Sequence, residues 1–451
     1  MSAYPELIDV RGRAISRRDL LASMGVNTLA ASFGNTWVAM TYGMPLVMFL
    51  QAIGASGLVI GLVNTARLLA VSALIPAALI AENLGIRKPF WSLCALSQRF
   101  AWFLLPLMAL HAFPLRDWMP AAVIALVAWS EIAGNASLAP WLSWMADLIP
   151  LHISGRFWGI RQSISTAATL AGLVLAGQIL DANTAGGHAS AHGFAIVFTI
   201  AACFGVSDIL THFFVREPRA ERIEKALAVH RRILAPLSNR GLRLLCLSLG
   251  VYNFGASMVV AFSLVYLKRD FDVTYSQLAS LSIAAAIGNI LTGYLFGGIM
   301  DRMGARRFGA ILLAASPLPL APWWFINHGI VAFGPFRFPQ CIALLAAASV
   351  VNGAITNGIG VVQLRMAAEL APPKGRTMSM AFLWSSVGLL GALGPTVGGI
   401  IMDRFPSHPS FHICSGLPFS FYHVQMIVFT AILLAAALPL LLAIQEKPAT
   451  P

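Results

Sequence analysis

Apolar residues fall in long runs along this chain, each about 20 residues or more, separated by short polar turns. Twelve such runs can be drawn, over 21–51, 55–81, 89–112, 119–147, 157–181, 192–214, 242–267, 276–300, 308–328, 338–366, 378–402 and 424–443. Each is long enough for a helix to cross roughly 30 Å of hydrocarbon. None alternates with the period of two that a barrel strand needs, and backbone amides in lipid must be satisfied within their own segment, so the runs predict α-helices. Composition points the same way: with 58% hydrophobic and 11% charged residues, a 451-residue chain has too little polar surface to cover a soluble globule.

The second half of the chain repeats the first at an offset of about 220 residues. Ser23-Met24-Gly25-Val26 with Ala31-Ser32 returns as Ser248-Leu249-Gly250-Val251 with Ala256-Ser257. Glu82-x-x-Gly85-x-Arg87-Lys88 returns as Asp301-x-x-Gly304-x-Arg306-Arg307. Asn135, Asp147-Leu148-Ile149-Pro150 and Gly155-Arg156 return as Asn357, Glu369-Leu370-Ala371-Pro372 and Gly375-Arg376. The expected organisation is a cytoplasmic segment 1–20, a six-helix bundle 21–214, a linker 215–241, a second six-helix bundle 242–443 and a tail 444–451. Duplicated bundles of this kind can rock against each other around a site at their interface, which makes alternating access the leading functional expectation.

The net charge of +12 raises the question of a polyanionic partner, and the placement of the basic residues answers it. With both termini in the cytoplasm, about 22 of the 30 Lys and Arg residues fall inside, eight of them in 215–243. The bias is that of membrane topology, so no nucleic-acid partner is expected, and the lipid bilayer of a cell membrane, read as a bacterial inner membrane, is. Arg17-Arg18 before an apolar run resembles a twin-arginine export signal, but the run is too long for a signal and eleven more follow; the pair is read as a cytoplasmic anchor. The linker, with alternating charges between Pro218 and Pro236, is expected to form a short helix near the membrane surface. His408, His412 and Cys414 in the 403–423 loop match no standard zinc spacing, so that loop is read as an ordered lid and no metal is expected.

Gly297-Gly298-Ile299-Met300-Asp301-Arg302-Met303-Gly304-Ala305-Arg306-Arg307 resembles the G-x-x-x-D-R-x-G-R-R-R signature of the major facilitator superfamily, on the turn after the eighth run where that family carries it. The matching turn after the second run departs from it, with Ala78 for Gly, Glu82 for Asp and Asn83 for the following cation. The resemblance implies an all-α membrane protein of twelve helices in two six-helix bundles, and a cytoplasmic gate built from Glu82, Gly85, Arg87, Asp301, Arg302, Gly304 and Arg306 against the helices that open after Arg156 and Arg376. Gly394-Pro395-Thr396-Val397-Gly398-Gly399 is similar to a proton–drug antiporter motif but lies in the eleventh run instead of the fifth, and is read as a close-packing surface.

Charges within the bilayer are costly and therefore the strongest site candidates, at about 2.5–3.5 kcal/mol each on the mild insertion scale. Arg67, Arg99 and Glu131 fall roughly 15–18 Å deep, counted at 1.5 Å per residue. They are expected to neutralise one another in part, with Glu131 carrying a proton and Arg67 its partner or the contact to an anionic substrate; a static buried salt bridge is the competing reading. A second set shares helix faces: Asn27 with Asn35, Glu131 with Asn135, Asn253 with Ser257, and Asn352 with Thr356. The resemblance implies that these faces, with Gln363, line a central cavity. No phosphate loop, HExxH or GxSxG is found in a fitting context, so neither an enzyme nor a cofactor is expected. The sequence thus leads to a monomeric secondary transporter of a small-molecule substrate, coupled to protons, with an uncoupled facilitator or a non-transporting sensor as the alternatives.

Overall fold

The computed structural model of the chain describes residues 8–10, 12–74, 76–77, 80, 87–110, 118–185, 188–219, 239–333, 336–370, 376–405, 408–412 and 418–444. Its helices, in chain order, are α1 (Arg17–Thr41), α2 (Met44–Ala52), α3 (Gly57–Leu69), α4 (Lys88–Ala101), α5 (Leu104–Ala109), α6 (Met119–Leu148), α7 (Leu151–Ala182) and α8 (Ala191–His212). They continue as α9 (Arg240–Phe271), α10 (Tyr275–Met303), α11 (Ala305–Ala315), α12 (Gln340–Leu370), α13 (Arg376–Gly391), α14 (Leu393–Arg404), α15 (Phe421–Ile432) and α16 (Leu438–Leu442). Three short antiparallel hairpins join helices: β1 (Thr184–Ala185) with β2 (His188–Ala189), β3 (Ile330–Phe333) with β4 (Phe336–Pro339), and β5 (His408–His412) with β6 (Pro418–Phe419).

Among the described residues, eight segments are long and apolar enough to cross a membrane: Lys88–Ala109, Met119–Leu142, Ile160–Ala182, Ala191–His212, Arg240–Phe271, Gln340–Ala367, Phe382–Arg404 and Phe421–Leu442. The other four expected runs are helical over most of their described residues. The run at 21–51 is α1 and α2, broken at Tyr42-Gly43 just before Pro45; 55–81 begins as α3 and tightens into a 3₁₀ turn at Ala70–Ala73; 276–300 is α10. The run at 308–328 starts as α11 and becomes the 3₁₀ segment Leu318–Trp324, because Pro317, Pro319 and Pro322 remove the amide donors a continuing α-helix needs. The protein is an all-α multi-pass architecture, as its apolar patterning predicts.

Local sequence sets the helix ends. Ser16 and Asp19 form a capping box at the start of α1, Thr274 and Gln277 another at the start of α10, and Asn239 accepts the Leu242 amide at the start of α9. Gly304 of the signature turn has φ 85°, a conformation that closes α10 and opens α11 within one residue and is rarely adopted by a residue with a side chain.

The chain forms two compact units. The first comprises residues 1–53 and 70–226, and the second 54–69 and 227–451. In the first, Trp37, Tyr42 and Trp102 pack edge to face, and the latter two share Ser130, which lies 3.0 Å from the Tyr42 hydroxyl and 2.8 Å from Trp102 Nε1. A second cluster, with Leu20, Trp91, Trp144, Met145 and Phe157, fills the end where α6 finishes and α7 begins. In the second unit α3 lies on α14 at near-backbone distance: a methyl on Gly61 would strike the Pro395 carbonyl, and one on Gly399 the Gly57 carbonyl. Asp403 caps α3, its two carboxylate oxygens accepting the Gly57 and Leu58 amides at 2.8 and 2.9 Å. On the other side of α14, Gly394 and Gly398 admit Phe254 and Met258 of α9, so the eleventh-run glycines form a packing surface.

The linker expectation falls largely outside the described residues. Its first part, 215–219, runs beside the N-terminal segment: Val10 donates to the Glu217 carbonyl at 3.1 Å and Arg219 to that of Ile8 at 2.9 Å.

Candidate functional site

Five helices of the first unit each contribute a polar side chain to one continuous chain of contacts inside an apolar bundle. Asp208, on α8, is 5% exposed and receives Arg99 Nη2 of α4 on Oδ2 at 2.9 Å. His212 follows one helical turn later and sets Nδ1 3.1 Å from the other Asp208 oxygen. Glycine makes room for this arrangement: a Cβ on Gly34 of α1 would lie 2.6 Å from Asp208 Oδ2. The Arg99 guanidinium is held further by Gln98 Oε1 at 2.9 Å and by the face of Trp37, 3.6 Å from the ring centre.

The chain continues through the imidazole. His212 Nε2 is 3.2 Å from Trp141 Nε1 of α6 and 3.2 Å from Asn27 Nδ2 of α1. An indole N–H only donates, so Nε2 accepts and the ring proton sits on Nδ1, where it donates toward Asp208; this is the neutral imidazole. Asn27 is wholly buried, and with its amide nitrogen turned to His212 its Oδ1 accepts Arg161 Nε of α7 at 2.8 Å. Arg161 is half-buried, with its guanidinium carbon 5.0 and 5.3 Å from the Trp141 and Trp158 rings. Two guanidiniums, one carboxylate and a neutral imidazole leave these four groups one positive charge in excess.

The sequence-derived candidates distribute unevenly around this chain. Arg99 and Asn27 belong to it. Glu131 is half-buried on α6, one turn from Asn135, whose amide donates to the Glu131 carbonyl at 2.8 Å. Arg67 sits in the last turn of α3, which is part of the second unit. Arg99 takes Asp208 as its ion-pair partner. Asn35 bonds to its own helix at Ala31. In the second unit, Ser257 donates to the Gly391 carbonyl at 2.9 Å, Asn253 abuts Gly391, and Thr356 bonds to the Asn352 carbonyl of its own helix. Gln363 is buried on α12, and its Nε2 has no hydrogen-bond partner among the described residues.

Of the gate candidates, Glu82 and Gly85 lie outside the described residues, and the helical positions of Arg156, Asp301 and Arg376 are described without their side chains. Arg87 is 4% exposed and clamped within its own unit. Its guanidinium reaches Asp147 at 2.6 Å and the Pro218 carbonyl at 3.0 Å, and its amide donates to Glu217. Next to it, Lys88 Nζ donates to the Phe213 and Val215 carbonyls just beyond α8. Arg302 is exposed, and Arg306 donates to the Ile444 carbonyl at 2.9 Å.

Sequence reasoning missed Asp208, His212, Trp141 and Arg161 as one group. An acid and a histidine four apart in an otherwise apolar helix were a readable signal.

Comparison with known proteins places the fold. Residues 245–451 match the family model described as Major Facilitator Superfamily. No curated protein matches the sequence. Among solved structures, the nucleoside transporter NupG is similar with a TM-score of 0.70 and 14% identity, over 95% of this chain and 100% of that one. A bacterial homologue of the human lysosomal transporter Spinster gives 0.65 and 16%, over 96% and 100%. A D-xylose–proton symporter gives 0.64 and 14%, over 93% and 97%. Over residues 245–451 the sequence matches the Major Facilitator Superfamily model, and along its length the fold is similar to those of these transporters.

Proposed function

We propose that this protein is a proton-coupled secondary transporter of a small solute, working by alternating access in a cell membrane with both termini cytoplasmic. The observation that carries the reading is the buried chain Arg99–Asp208–His212–Asn27–Arg161, because a bundle that only spans lipid has no use for two cations, an acid and an imidazole in its interior. The transport roles of the similar structures, a nucleoside transporter and a D-xylose–proton symporter, support the general class.

The chain has a means of coupling. With His212 neutral, Nε2 accepts from Trp141 and Asn27, and Asn27 in turn holds Arg161 through Oδ1. A proton arriving on Nε2 turns that acceptor into a donor facing two donors, so both contacts must break. Asn27 is then released to turn its amide, and Arg161 loses its fixed acceptor. The imidazolium remains paired with Asp208, which Arg99 also faces from α4. Protonation state and the position of Arg161 are thereby linked. Glu131, the acid singled out by sequence depth, is the second candidate proton carrier.

Purified protein in liposomes loaded with a pH-sensitive dye tests the class directly. Solutes are offered singly from a library of nucleosides, sugars, amino acids and organic anions. The expected result is a proton flux evoked by one solute class and absent from empty liposomes. A wild-type protein that moves solute with no proton flux is an uncoupled facilitator, and one that moves nothing from any class is no transporter.

A further inference from the structure

We infer that Arg161 is the receptor for an oxyanion, a carboxylate or phosphate group, carried by the molecule this unit handles. Its surroundings define an unfinished ion pair. Nε is taken by Asn27 Oδ1 at 2.8 Å, whereas Nη1 and Nη2 have no hydrogen-bond partner among the described residues. The carboxylate of this chain, Asp208, already faces Arg99 and His212, and no ion pair joins it to Arg161. The guanidinium is therefore presented end-on, with its two terminal amino groups forming the parallel pair of donors that matches the two oxygens of a carboxylate or phosphate.

The rest of the site holds that fork still. Asn27 is wholly buried and cannot be replaced by water, and Trp141 and Trp158 lie on the guanidinium at 5.0 and 5.3 Å. Trp141 is fixed in turn by its bond to His212. Two indoles beside one cation also supply flat apolar surface, so the site favours an anion joined to a planar or aromatic body. An arginine that served only to neutralise Asp208 would need none of this, and the excess positive charge of the four-group chain is removed when an anion binds. The inference deepens the transport reading by naming a substrate class, and rests on that reading only for the fate of the bound anion.

A carboxylate or phosphate can arrive on a free solute or on a lipid headgroup, and the test separates these sources. Thermal unfolding of the delipidated protein is followed in a neutral detergent and chloride-free buffer, with benzoate, citrate, inorganic phosphate or AMP added singly. A parallel series uses nanodiscs of zwitterionic lipid with and without an anionic lipid. At least one of the four anions is expected to raise the unfolding temperature of the wild type saturably. Arg161→Gln should abolish that shift, and Arg161→Lys should raise the half-saturating concentration about tenfold, because an ammonium keeps the charge and loses the fork. If Arg161→Gln does not fold, Asn27→Ala gives the second arm: it keeps the guanidinium but frees Nε, and should weaken the same shift several-fold.

A shift produced only by anionic lipid, and lost in the same variants, upholds the oxyanion site and assigns it to a headgroup. No shift from any anion or lipid, or an equal shift in wild type and variants, overturns it. Arg161-dependent binding without solute flux sinks the transport reading alone, and proton-coupled flux together with an anion-induced shift that both survive Arg161→Gln unchanged sinks this inference alone.

Discussion

Asp208→Asn is the perturbation that most cleanly probes the buried chain. The side chains of Arg99 and Asp208 are 11% and 8% exposed and meet at 2.9 Å, and Asp208 also faces His212 at 3.1 Å. The amide keeps the shape but removes the charge, leaving the Arg99 guanidinium buried against Trp37 with Gln98 as its remaining polar neighbour. Breaking a buried pair from one side costs about 3–5 kcal/mol, most of it the cost of the stranded partner. Arg99→Gln alone should cost a similar amount, and the double variant much less than the sum, because no uncompensated charge remains. Reversible unfolding in mixed micelles at fixed ionic strength measures this, and the cycle should give a coupling of about 2 kcal/mol or more. Additivity within about 0.5 kcal/mol, or an Asp208→Asn variant as stable as the wild type, would refute the pairing.

Other outcomes follow from the same geometry. Gly34→Ala places a methyl 2.6 Å from Asp208 Oδ2 and should cost about 1–3 kcal/mol, read in the same unfolding assay. Asp403→Ala removes the acceptor of the Gly57 and Leu58 amides; hydrogen exchange at those two positions should speed up, with a loss of about 1 kcal/mol. Arg87→Ala strands Asp147 and frees the Pro218 carbonyl, so limited proteolysis should cut near 215–219 sooner than in wild type. Reporter fusions within 220–235 should read cytoplasmic, and a periplasmic signal there would invert every loop assignment.

The architecture was readable because it is written in bulk: long apolar runs, their duplication and the glycine turn at Gly304 require no knowledge of partners. The breaks were less readable. Pro45 and the prolines at 317–322 mark where helices stop, yet their runs stay apolar through the break, so hydropathy alone joins α11 to the 3₁₀ segment behind it. The site was half readable. Depth counting singled out Arg99 and face sharing singled out Asn27, but pairing depends on which helices are neighbours, and nothing local to Arg99 says that its acid is Asp208, 109 residues away. The same holds for Asn27 and Arg161, 134 residues apart. Arg87 shows the converse: a residue assigned to a gate by its motif is engaged with Asp147 and the Pro218 carbonyl of its own unit.

The central claim, that protons drive solute movement through this buried chain, is tested most directly by comparing gradient-driven accumulation with counterflow in liposomes, using the solute found in the dye screen. His212→Gln keeps a polar side chain at the junction of Asp208, Trp141 and Asn27 but cannot take up a proton. The account predicts that it loses accumulation against a gradient while counterflow, which needs no net proton movement, persists, with Glu131→Gln run alongside as the competing carrier. Accumulation by His212→Gln with the wild-type dependence on pH would contradict the account.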